Sequence, residues 1–154
     1  VAVDRIFDRS QAWRFAELDN VRGTEAIYLA FRPEFAGDRV FAFTVGLGSM
    51  IYEAYGGKDE FYFLDTVEPQ PVYNAARNIE IAVWKLSNAR DATGALFLLS
   101  NEPAGDPPNL SFEREFGKLI AHQDVLARIL AQRENRTLRR IVQQLPTAVF
   151  LPVK

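Results

Sequence analysis

No cysteine and a single histidine, His122, stand in this chain of 154 residues. Without thiols there is neither a disulfide nor a thiolate metal staple to lean on, so an apolar core must hold the fold unaided. The same scarcity closes cysteine nucleophiles and histidine-rich metal cages. No P-loop, G-x-G-x-x-G, G-x-S-x-G or H-E-x-x-H pattern is present. No cofactor, metal site or catalytic set is expected.

Hydrophobic residues make up 48% of the chain and charged ones 25%, ordinary values for a globular protein. A chain of this length buries roughly two thirds of its unfolded surface, and one domain over 1–154 is the expectation. No run approaches the roughly 18 apolar residues that a membrane span needs, and the first residues carry acid early. Neither an anchor nor a signal peptide is expected in the residues present, and the start at Val1 is compatible with an upstream piece left out. The lack of cysteine fits a cytoplasmic setting, the expected compartment.

The formal charge of −2 hides an asymmetry. Residues 1–110 hold 10 Lys and Arg against 16 Asp and Glu, whereas residues 111–154 hold 8 against 4. An acidic front and a basic back can balance within one fold, drive head-to-tail association, or mark a polyanion site.

Hydrophobic periodicity predicts an α+β domain. Asp8 or Ser10 starts a short helix carrying Ala12, Phe15 and Ala16, which ends before Asn20. Over 25–32, Ile27, Leu29 and Phe31 alternate with other residues, and over 39–47 so do Phe41, Phe43, Val45 and Leu47. Both read as strands, joined by a turn over 33–38. Segments 50–55 and 60–67, joined by a turn at Gly56-Gly57, complete an antiparallel β-meander with helices packed on one face. Val72, Ala76, Ile79, Val83 and Leu86 form a helix stripe, with Ile81 and Trp84 off it. Residues 95–99 read as a strand covered on both faces, and the proline-rich stretch 101–109 as a loop.

A long amphipathic helix near the C-terminus follows, capped by Ser111, with Phe112, Phe116, Leu119, Leu126 and Leu130 as its seam. Gln123 takes an apolar place in that seam, and Val125 and Ile129 form a second patch outside it. Asn135 or Thr137 starts a further helix over Leu138, Ile141, Val142 and Leu145, and 147–153 reads as an edge strand.

Asp65 shares the aromatic face of the strand over 60–67. A carboxylate there either has its pKa raised and serves as a general acid or base, or ends the strand by bonding backbone amides. His122 lies at the edge of the long helix's seam with no Ser, Asp or Cys placed beside it by spacing. Arg133, Arg136, Arg139 and Arg140 form the one dense basic cluster. Arg136 and Arg140 share a helix face and can hold phosphates of a nucleic acid as forked donors.

The function expected on these grounds is a non-catalytic interaction or assembly module that binds a protein partner or itself. Trp84, Gln123, Val125 and Ile129 are its candidate contact residues. The alternatives are a nucleic-acid-associated protein using the four arginines, and a carboxylate-dependent hydrolase or lyase centred on Asp65.

Overall fold

The computed structural model describes residues 2–8, 12–62, 65–135, 137–141 and 143–154, and the chain they trace is helical. Helix α1 spans Ala2–Ile6, α2 Gly23–Ala30, α3 Arg39–Ala54, α4 Pro69–Asn88 and α5 Ser111–Arg133. Short 3-10 turns lie at Ala16–Leu18 and Leu145–Thr147. Among the described residues there is no sheet, only two isolated antiparallel bridges, Arg90 with Leu96 and Glu102 with Asn109. The α+β architecture and its meander are thereby overturned.

The segment read as the first strand is α2. Nearly every residue from Ala26 to Phe31 is apolar, and such a run satisfies a period of two and a period of 3.6 alike. Ala26, Ile27 and Ala30 are the residues it buries, at helical spacing.

The second and third strands are one helix, α3. Its bulky residues Phe41, Phe43, Val45 and Leu47 alternate and suggest a strand. The stripe that packs is made instead of Ala42, Val45, Gly46, Ser49 and Met50, at steps of three and one. Most of these are small, so a reading by hydropathy passes over them. Asp38 is the N-cap, its side chain accepting the Phe41 N–H at 2.9 Å. Gly56 and Gly57, both at φ 72°, end the helix with the Gly57 N–H returning to Tyr52 O at 2.9 Å.

The small stripe lets α3 press onto α2 at backbone distance. A Cβ at Gly46 would lie 2.6 Å from Ile27 N and 2.9 Å from Gly23 O. One turn on, Ser49 Oγ accepts the Gly23 N–H at 2.7 Å and donates to Val45 O at 2.6 Å. The buried N-terminus of α2 is thus satisfied by a side chain of its neighbour.

Segment 60–67 forms no strand among its described residues. Asp65 instead closes a turn, accepting the Tyr62 N–H at 2.7 Å. In the apolar run 95–99, Leu98 is buried and Leu99 is 85% exposed, so it is not covered on both faces.

Helices α4 and α5 agree with the periodicity. Pro69 and Pro71 occupy the first turn of α4, where the missing N–H groups cost nothing. Ser111 is the first residue of α5 rather than its cap: the N-cap is Leu110, which offers no side-chain bond, and Asn109 Oδ1 accepts the Ser111 N–H at 3.0 Å.

Beyond α5 the described residues 137–141 and 143–144 form no helix, contrary to expectation, and Asn135 follows α5 with a left-handed φ of 52°. The C-terminal segment is no strand either. It runs against α4 and bonds to its side-chain amides. Gln70 pairs with the backbone of Arg139, accepting its N–H at 2.7 Å and donating to its carbonyl at 3.1 Å. Asn74 donates to Pro152 O at 2.7 Å. Asn78, fully buried, accepts the Leu151 N–H at 2.6 Å and donates to Leu151 O at 2.8 Å.

Helices α2 and α3 form one pair and α4 and α5 another, with α3 against α4 between them. A continuous apolar cluster takes Ile6, Phe15 and Leu18 from the N-terminal part, Ile27, Met50, Ile79 and Leu86 from the helices, and Val153 from the C-terminal segment. Among the described residues, no helix is long and apolar enough to cross a membrane.

Candidate functional site

Helix α5 presents two different sides. Gln123, Ala127 and Ala131 are buried. Gln123 therefore faces the protein itself, where its Oε1 accepts the Tyr55 hydroxyl at 2.9 Å. It links α5 to the end of α3 and does not stand on the outer surface. Val125 and Ile129, one turn apart, are 52% and 55% exposed. His122 is exposed on that outer side, and Phe112, at the start of the helix, is 45% exposed. Ser111, Phe112, Glu115, Phe116 and Leu119 line a shallow hollow of about 340 Å³.

Trp84 lies half-buried on α4, one turn beyond Glu80. On that side of α4, Arg77 reaches across to Asp124 of α5 at 2.6 Å and to Glu80 at 3.2 Å. Burial pushes the Glu80 carboxyl above the ordinary glutamate range, Arg77 pulls it down, and the negative Asp124 adds to the rise.

The basic cluster is not a helix face. Arg133 is exposed in the last turn of α5, while Arg139 and Arg140 are exposed in irregular chain. Arg136 lies outside the described residues. Among the described residues, 137–141 and 143–144 form no helix, so Arg139 and Arg140 share none with Arg133. Asp65 also departs from expectation: Lys58 pairs with it, and the Tyr62 amide bonds to it. Together they hold its carboxyl below the ordinary aspartate range, opposite to the shift that a general acid requires. Phe63, a neighbour on the supposed strand face, lies outside the described residues.

A cleft beside α3 was not foreseen. It has a volume of about 680 Å³ and lies on the side of α3 that carries Gly48, Ile51, Tyr52 and Tyr55 at helical spacing. Its other wall holds Phe7 and Trp13 from the N-terminal part. Gly48 is what admits the indole, since a Cβ there would lie 2.6 Å from two ring atoms of Trp13. Trp13 meets Phe7 edge-on at 5.6 Å between centroids and Tyr52 at 6.3 Å with a 42° tilt. Asp8, Lys58 and Asp59 also line the cleft.

A second cleft, about 400 Å³, lies at the N-terminus of α2 beside the C-terminal segment. There the mostly buried Glu53 is shared by Arg22 at 3.1 Å and Lys154 at 3.5 Å. Glu53 thereby ties Arg22 to Lys154 of the C-terminal segment, so the cleft reads as a joint between segments. Among the described residues, no group of three His, Asp or Glu could hold a metal ion. Compared with protein-family models, curated proteins and solved structures, the chain has no match.

Proposed function

We propose that the protein is a non-catalytic interaction module that associates with a second copy of itself through the outer side of α5. The observation that carries this reading is the half-exposed pair Val125 and Ile129, on the helix whose other side buries Gln123, Ala127 and Ala131. A two-residue patch is far smaller than the roughly 1,200–2,000 Å² of a stable interface, so neighbouring surface must join it. His122, exposed on the same side one turn before Val125, adjoins the pair.

Size-exclusion chromatography with light scattering tests the reading. A dimer or larger assembly is expected at high micromolar concentration, and Val125→Glu with Ile129→Glu should return it to monomer with unchanged helical circular dichroism. A wild-type monomer throughout that range, or an oligomer indifferent to the double substitution, overturns it.

A further inference from the structure

Just past α5, local sequence and fold disagree. From Lys118 to Leu145 there is neither glycine nor proline, and Leu138 and Leu145 stand seven and fourteen places after the buried Ala131, with Ile141 between them. Seven residues are close to two helical turns, so an α5 that ran on would keep one apolar face. Yet α5 ends at Arg133, Asn135 takes a left-handed φ of 52° that L-residues disfavour, and 137–141 form no helix. Such conflicts between local preference and global fold collect at strained or functional places.

Gln70 is what holds the irregular path at Arg139. The Arg139 N–H and carbonyl, which a helix would pair with its own backbone, are paired instead with the Gln70 amide. Both arrangements satisfy these two groups, and they differ in where they put the chain beyond. A helix continued to Leu145 carries the chain about 18 Å further along the axis, away from α4. The groove so opened has definite demands. Asn74 and Asn78, 6% and 0% exposed, would lose the Pro152 carbonyl and both bonds to Leu151. Tyr28 would lose the Phe150 ring that it meets at 4.7 Å, and the core would lose Val153. Buried amides without partners are costly, so the groove requires an extended peptide with an aromatic residue before the bonded pair and an aliphatic one after it.

We propose that the opened groove takes residues 150–153 of a second copy, which receives the first copy's residues 150–153 in return. The second copy carries the side chains that fit, so the bonds lost at 151 and 152 within each chain are remade between chains. The two bonds of Gln70 are replaced by helical ones. Exchange of identical elements is a low-cost route to a dimer, and it is slow, because the segment must first be released. It uses none of the outer side of α5.

Two variants, each with one half of the contact broken, test it. Asn78→Ala keeps its C-terminal segment but loses the groove's bonds to it, and Leu151→Pro keeps the groove but has no N–H to offer. Neither holds a whole contact within one copy, whereas exchange between them restores one. With the Asn78→Ala copy isotope-labelled, and the two warmed together at high concentration and cooled, its Leu151 amide should exchange about tenfold or more slowly than when treated alone. Association through the outer side of α5 leaves each segment in its own groove and gives no such protection, so the two readings fail separately. A second measurement does not depend on the folding of Leu151→Pro. Asn135→Ala disfavours the left-handed turn and favours helix, and Asn135→Gly does the reverse. After the same treatment the ratio of dimer to monomer should be about tenfold or more higher for the alanine variant, since two hinges contribute, with a gain in helical circular dichroism on dimerisation. A Leu151 amide no slower in the mixture, a ratio indifferent to residue 135, or a dimer without added helix overturns the proposal.

Discussion

Arg39, the first residue of α3, donates from Nη1 to the carbonyl of Ala30, the last residue of α2, at 2.7 Å. The same guanidinium reaches Arg32 O at 2.9 Å and Phe35 O at 2.8 Å, and lies 4.6 Å from the ring centroid of Phe97. One side chain thus gathers the carbonyls left open where α2 ends and folds the connection between the helices around itself.

Replacing Arg39 with alanine removes the charged donor from the Ala30 and Phe35 carbonyls, while Arg32 O keeps the Phe35 N–H at 3.2 Å, and is expected to cost about 2–3 kcal/mol. Arg39→Lys should recover less than half, because a single ammonium cannot span the fork. Urea unfolding followed by circular dichroism measures both, and equal stability of all three proteins would refute the role.

Two glycine substitutions on different helices should move stability in opposite directions. At Gly46 an added methyl meets the backbone of α2, so Gly46→Ala is expected to destabilise by about 2 kcal/mol or more despite alanine's better helix propensity. At the exposed Gly117 of α5 a Cβ meets nothing within 4 Å, so Gly117→Ala should stabilise by about 0.5–1 kcal/mol. Thermal melts compare them directly.

Asn78→Ala removes both bonds to Leu151 and strands its N–H and carbonyl, at an expected cost of about 2–3 kcal/mol. Exchange of the Leu151 amide should quicken well before global unfolding does. An amide still protected in the variant would show that other contacts hold the segment.

Glu80 sets a pH dependence of definite sign. Its carboxyl titrates above the ordinary range in the folded protein, so the folded state binds the proton more tightly than the unfolded chain. The stability this confers is full below the ordinary glutamate range and is lost as pH rises through the raised folded value. Glu80→Gln should therefore match the wild type near about pH 4 and exceed it at neutral pH, by a few tenths of a kcal/mol given its partial exposure and the lost Arg77 pair. A variant less stable than wild type at neutral pH would reverse the argument. Asp91 acts oppositely at the acid end: bonds from Thr93 hold it below the ordinary range, so its contribution is present at neutral pH and lost on acidification.

The legible helices were those with a polar outer side. In α4 and α5, charged residues such as Arg77, Glu115 and Lys118 mark one face, so the apolar stripe stands out at its true period. In α3 no charge follows Arg39 until Glu53, and its packed stripe mixes Val45 and Met50 with the small Ala42, Gly46 and Ser49. Close backbone approach at Gly46 and Ser49 joins large-residue burial in fixing its place, and hydropathy does not register that. Once 39–55 was read as strands, Gly48, Tyr52 and Tyr55 could not share a face, and their cleft was invisible. Its other wall rests on left-handed backbone at Ala12 and Trp13, which no periodicity foretells. Val125 and Ile129 were legible as a patch outside the α5 seam. Gln123 was legible as a polar residue within it, but its partner, Tyr55, lies 68 positions away.

The amides of Gln70, Asn74 and Asn78 grip the C-terminal segment by its peptide groups alone, and peptide groups are common to every sequence. At the gripped positions the path of this strap is fixed while the letter is free, whereas Val153 is held by its side chain in the core. A residue without an amide proton is refused where these amides demand one, at positions 139 and 151. One step further on, where a carbonyl suffices, the chain carries Pro152.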